Sequence, residues 1–300
     1  MAGTDMDTIR MHWQNEKQGY KAISLLEELG KSGGVTRKEK EHVSPDAIYR
    51  KIITYSLNDK HIYLMASPRF RKMPSVAVSF HASKFRNSSE LFDWLAQLFA
   101  GEIDFLFEAV ISRIDLCIDL SLSFDTVFKS VTKKRSRTVL LYTSSSGKTI
   151  YFGSPPTQTV IYEKNVEFED IDWWADDKRP QIKNNKIKGL RLESRYFGNK
   201  CPIRSLSEIH KLNTIHPFSN LEAKKFDLAV IANVNPRAKR RIESFLYRTQ
   251  LYGFDVTRKE ENRSSKRHFA NSIGRYLVPM NLDFKCAWQN HCDRYFNHKK

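Results

Sequence analysis

The chain has 300 residues, 40% of them hydrophobic and 12% aromatic, enough to bury one large core or two modest ones and too apolar for a disordered protein. Fifty Lys and Arg against 34 Asp and Glu leave a formal net charge of +16, which points to a polyanionic partner and away from enzymes of small metabolites. No apolar run approaches the roughly 20 residues that span a bilayer, and the opening MAGTDMDTIRMHWQNEK lacks the apolar stretch of a signal peptide, so a cytoplasmic protein with no membrane partner is expected.

In chain order, residues 16–30 carry apolar positions at helical spacing up to a Gly, and KSGGVTRKEKEHVSP at 31–45 reads as a mobile charged loop. Residues 1–60 are therefore expected to form an N-terminal helical and charged segment. Strands are predicted near 61–66 and over 75–81. Ser88 or Ser89 then caps a helix through LFDWLAQLFAG that stops at Gly101. Further strands at 109–120, 137–143, 148–153, 158–164 and 188–197, joined by tight connections, complete an expected core over 61–204. Past a boundary near 200–205 the pattern turns helical, at 205–212, 220–234 and 236–253, where Pro236 suits a first helical turn. The expected fold class is α+β: a mostly antiparallel sheet with flanking helices and a helical, basic region over 205–300.

Side chains alternate across a strand, so each strand sorts its residues onto two faces. In ISRIDLCIDL, Ile114, Leu116, Ile118 and Leu120 share one face, and Arg113, Asp115, Cys117 and Asp119 the other. In GLRLESRY the apolar pair Leu190 and Leu192 opposes Arg191, Glu193 and Arg195, while TVIYEKN puts Val160, Tyr162 and Lys164 together. If these strands are neighbours, one face collects Asp115, Asp119, Glu193, Tyr162, Lys164, Arg113 and Arg191. Three carboxylates suit Mg²⁺ or Mn²⁺, which orient a phosphodiester for in-line attack. A phenol is a weak nucleophile near its ordinary pKa of about 10, and a neighbouring cation such as Lys164 favours phenolate or stabilises a pentavalent phosphate. The alternative is a set of ordinary cross-strand ion pairs on a solvated face.

Three blocks, RIDLCID at 113–119, TIYFGSPPTQTVIYEK at 149–164 and LRLESRY at 190–196, resemble in order the motifs of the Rep-trans family. This is a family of tyrosine-dependent initiators of rolling-circle replication found in plasmids, with relatives in filamentous phages and integrative elements. The resemblance covers roughly 109–197. It implies that Tyr162 is the nucleophile and that Asp115 and Glu193, with Asp119 beside them, hold the metal. Tyr151, in the Tyr-Phe-Gly-Ser block, is the rival tyrosine, and Glu163 stands where similar proteins commonly have Asp or Asn. The implied reaction nicks one strand at an origin, leaving a 5′-phosphotyrosine link and a free 3′ hydroxyl. It also implies a homodimer acting on double- and single-stranded DNA and a later strand-closing step. A conjugative mobilisation relaxase of the same chemistry and a non-catalytic DNA-binding regulator remain alternatives.

Other motifs exclude more than they add. The nine histidines include no His-x-His pair, which disfavours histidine-metal nickases. GKT at 147–149 lacks the upstream Gly of a P-loop, because Tyr142 stands there, and SSSGKT reads as a hairpin turn; a separate helicase is therefore expected. Cys286, His291, Cys292 and His298 fit no common zinc spacing and read as buried thiols and surface histidines, and Trp173 and Trp174 lie in an acidic stretch. Arg237, Lys239, Arg240 and Arg241 open a predicted helix, and Arg263, Lys266 and Arg267 follow in a second basic segment. Both are candidate phosphate contacts, with a solvated charged helix face as the alternative.

Overall fold

The computed structural model describes residues 2–41, 48–120, 127–129, 139–144, 147–166, 187–219, 221–226, 234–252, 277–279 and 283–296. In chain order these form β1 (Ala2–His12), α1 (Glu16–Lys31), β2 (Thr36–Glu41), β3 (Tyr49–Leu57), β4 (Lys60–Pro68), β5 (Val76–His81), α2 (Ser88–Leu98), α3 (Asp104–Phe107) and β6 (Val110–Leu120). There follow β7 (Val127–Lys129), β8 (Val139–Ser144), β9 (Gly147–Ser154), β10 (Thr157–Val166), β11 (Ile187–Phe197), β12 (Leu221–Phe226), α4 (Pro236–Tyr252), β13 (Leu277–Pro279) and α5 (Phe284–Phe296). Ten strands pair into one sheet in the order β2-β3-β4-β5-β1-β6-β11-β10-β9-β8, and β13-β12-β7 form a small second sheet. Every pairing among them is antiparallel, so the fold is α+β as the strand and helix patterns predict.

The N-terminal segment departs from expectation. Residues 2–12 form the strand between β5 and β6, and the expected boundary at 60 falls inside the β3–β4 hairpin. Simple alternation hides β1 because its buried residues change parity, from Met6 to Ile9 and Met11, with Asp7 as the extra residue where the register against β6 shifts between Met6 and Thr8. A second shift near Arg10 and Met11 lets both Ile111 and Ile114 of β6 face the core. The expected loop at 31–45 contains β2, an edge strand whose TRKEKE sequence is charged at every position after Thr36, a composition that discourages pairing with another chain.

The apolar face of the large sheet packs on α1, α2, the 3₁₀ helix at Leu206–Thr214 and α5. Asn15 caps α1 through its side chain. Asn87, and neither Ser88 nor Ser89, caps α2: its side-chain oxygen accepts from the Glu90 amide. Asn235 does the same before Pro236 in α4, where it accepts from the Ala238 amide at 2.9 Å. Residues 221–226, expected to be helical, form β12. Of the cysteines, Cys117, Cys201 and Cys292 are buried and Cys286 is exposed.

Helix α5 returns the C-terminal region to β1, and Trp288 donates to the Leu212 carbonyl at 3.2 Å. His291, expected at the surface, is buried on this helix, stacked between Trp288 and Tyr295, and its Nε2 has no hydrogen-bond partner among the described residues. Burial, then the charge of Arg294, lower its pKa to about 3. The folded chain therefore keeps His291 neutral while the unfolded chain takes up a proton below its ordinary value near 6.5. Stability is present above that pH and is lost as pH falls toward 3, by about 2 kcal/mol at pH 5. Chemical denaturation at pH 7 and pH 5 should show that loss, and His291→Phe should reduce it; equal pH dependence in both proteins would refute the assignment.

Candidate active site

Register places the charged residues of β6, β11 and β10 side by side. Tyr162 pairs with Arg191, which pairs with Asp119; one step along, Glu193 lies opposite Val160 and Cys117; at the next, Arg195 lies opposite Asp115, which pairs with Thr8 of β1. The β10–β9 hairpin brings Tyr151 next to Val160. The neighbouring order of these three strands, on which the face reading depends, is thus present.

Tyr162 Oη donates to Glu193 Oε1 at 2.5 Å. The other oxygen of Glu193, a side chain only 2% exposed, accepts from Arg195 Nε at 2.7 Å. Arg195 also lies 3.9 Å from Asp115 and over the ring of Tyr151, with 5.8 Å to its centroid. Burial, followed by the negative charge of Glu193, pushes the Tyr162 phenol well above the ordinary tyrosine range, while Arg191 works against both. A cation-stabilised phenolate is therefore not the resting state. The hydroxyl keeps its proton and hands it toward a carboxylate.

Two further arginine–carboxylate pairs frame this one. Arg113 holds both oxygens of Asp115, from Nε at 3.0 Å to Oδ1 and from Nη2 at 2.5 Å to Oδ2. Arg191 holds Asp119 in a fork at 2.6 Å on each side and reaches Asp7 at 3.3 Å. Asp7 also accepts from Thr8 and Ser83 and lies 3.9 Å from His81 Nδ1. It is a site residue that the sequence reading does not find, because the bulge that carries it breaks the alternation of β1. Arg195 stands on the charged face in the sequence reading without a role there.

The carboxylates are thus answered by guanidinium groups. Asp115, Asp119 and Glu193, expected to hold Mg²⁺ or Mn²⁺, each have both oxygens engaged, and among the described residues no three His, Cys, Asp or Glu side chains converge as a metal site. A divalent ion at these carboxylates would share them with the arginines that already hold them. Lys164 lies in β10 opposite Gly189, with its side chain outside the described residues.

The Asp115 side chain is 1% exposed and that of Arg113 23%, so the acid is the buried member of the pair. Removing the arginine leaves a buried charge short of its main partner and costs about 3–5 kcal/mol. Arg113→Ala should lower Tm by roughly 6–15 °C in a thermal melt; an unchanged Tm would show the pair to be dispensable.

Among the distal basic residues, Arg237, Lys239 and Arg240 are exposed on α4 and Arg241 is half-buried, while Ile242 and Phe245 turn inward. Arg263, Lys266, Arg267, Trp173, Trp174 and His298 lie outside the described residues. Among the described residues no helix is long and apolar enough to cross a membrane.

No protein-family model matches the chain, and no curated protein matches it in sequence. Among solved structures it is similar to a rolling circle replication initiator protein from Geobacillus stearothermophilus, at 12% identity over 99% of this chain and 98% of that one, with a TM-score of 0.36.

Proposed function

We propose that the protein starts rolling-circle DNA replication by cutting one strand through tyrosine transesterification, with Tyr162 as nucleophile and Glu193 as general base. The observation that carries this reading is the Tyr162–Glu193 hydrogen bond, set among three arginines on one sheet face. A phenol held protonated against a carboxylate loses its proton only as it attacks, which suits general-base catalysis. The Tyr162 oxygen forms a bond to phosphorus, its proton passes to Glu193, and the bond from phosphorus to the 3′ oxygen breaks. That oxygen takes a proton from water to become a 3′ hydroxyl, Glu193 returns its proton to solvent, and the 5′ phosphate stays on the protein. Arg191 and Arg195, on the same sheet face as Tyr162, are the cations that would stabilise charge developing on the phosphate oxygens, with Arg113 behind them on Asp115.

The net charge of +16 and the exposed cations at the start of α4 support binding to double- and single-stranded DNA at an origin. The missing P-loop glycine supports a separate helicase as partner, and the resemblance of the three motif blocks supports a homodimer. One observation favours a non-catalytic DNA-binding regulator instead: the carboxylates are already neutralised by arginines.

The deciding assay incubates the purified protein with supercoiled plasmids carrying candidate origins, in Mg²⁺, Mn²⁺ or EDTA, and runs denaturing gels. Nicked DNA with covalently attached protein supports the enzyme. Binding with neither nick nor adduct in any condition, on DNA that includes the cognate origin, assigns the regulator. Nicking in EDTA assigns charge neutralisation to the arginines, whereas a strict metal requirement means that the carboxylates rearrange to bind the ion.

A further inference from the structure

Four large hydrophobic side chains stand exposed among the described residues, and three of them, Ile48, Phe70 and Met73, gather at one end of the sheet. Phe70 is 55% and Met73 40% exposed, at the two ends of the β4–β5 turn. Ile48 joins them because the Arg69 amide donates to its carbonyl at 2.9 Å, next to the Tyr49–Pro68 strand pair. The turn is fixed by its own backbone, with the Met73 amide donating to the Phe70 carbonyl at 2.9 Å, and beneath it Tyr49, Met65 and Ala77 form a small buried cluster. A presented aromatic on a supported turn differs from a single stray hydrophobic residue.

Within the two segments the charge is of one sign, with Glu16 accepting from Ser75 at the turn's end and Glu39 paired with Lys51. The turn reads PRFRKMPS and the adjoining strand start IYRK, with five cations and no acid. Among the described residues, Arg50, Arg71 and Lys72 enter no ion pair. Apolar side chains flanked by unpaired cations match a nucleic acid, whose phosphates take the charges while its bases take the aromatic face.

We infer that the β4–β5 turn is a second DNA contact, in which Phe70 and Met73 press against a base step while Arg71 and Lys72 hold the flanking phosphates. This rests on the reading of the protein as one that acts on DNA. By strand spacing and rise, the turn lies on the order of 25 Å from the level of Asp115, so it touches DNA away from the reacting phosphate.

The test uses the full chain and a fluorescein-labelled duplex of mixed sequence, with binding followed by anisotropy across a salt series. The Phe70→Ala, Met73→Ala double variant should bind about five- to a hundredfold more weakly, the range for loss of one base-stacking contact. Its salt slope and Tm should be unchanged, and Phe70→Trp should retain binding. The Arg71→Gln, Lys72→Gln variant should lower the salt slope by about 2. Wild-type affinity in the Ala variant would overturn the proposal, as would affinity lost for phosphatidylserine vesicles and kept for DNA. Because binding is read without cleavage, absence of nicking by the wild type would refute Tyr162 chemistry and leave this contact standing.

Discussion

Tyr162→Phe should abolish both nicking and the covalent protein–DNA adduct while leaving DNA affinity within about twofold of wild type. The substitution removes one oxygen and keeps the ring, so β10 still pairs with β9 and β11, and Glu193 keeps its bond to Arg195. Without the phenolic oxygen no phosphotyrosine can form, so the expected loss is of the whole reaction. The effect on folding is limited to about 1.5–3 kcal/mol, the worth of a hydrogen bond to a charged acceptor, because Arg195 still neutralises that carboxylate. Denaturing gels and anisotropy on the same DNA separate the two effects.

Glu193→Gln should give the second large loss, about 10²- to 10⁴-fold in the rate of adduct formation, the usual contribution of a positioned general base. The sign of its pH dependence follows from the site. Burial raises the phenol's pKa first and the Glu193 charge raises it further, so removing that charge moves the Tyr162 pKa back down, toward its ordinary value. The variant has lost its base but reaches phenolate at lower pH, and its rate should climb with pH more steeply than the wild type's. Single-turnover rates between pH 6 and pH 10 measure this directly. Equal pH profiles for the two proteins would show that Glu193 does not take the proton.

The charged face was legible in the sequence because each of its three strands keeps strict alternation over the residues concerned. Leu190 and Leu192 lie at 0% exposure on the core side while Tyr162, Glu193 and Asp115 meet on the other. What alternation does not carry is the pairing between charges. Nothing in RIDLCID tells that Asp115 meets the guanidinium two residues before it, as it does in the fold. Asp7 was hidden for a different reason, since a bulge inserts one residue and destroys the period-2 signal that would have marked β1 as a strand.

The ends of the chain were harder to read because tertiary contacts override local pattern there. TRKEKE has the composition of a loop and becomes an edge strand only because β3 offers a partner. LEAKKF reads as helix yet pairs with both β7 and β13. His291 lies in a polar stretch, CAWQNHCDR, and is buried because α5 lays one side against β1 and the 206–214 helix. Such placements depend on partners far away in sequence, which no local window contains.

In the proposed reaction one hydroxyl, that of Tyr162, becomes bonded to DNA. Trapping the adduct on origin DNA, digesting protein and DNA, and mapping the modified peptide by mass spectrometry tests it most directly. The expected product carries a nucleotide on Tyr162, in the peptide containing TVIYEK. A nucleotide on Tyr151 instead, whose ring lies beneath Arg195, would contradict it.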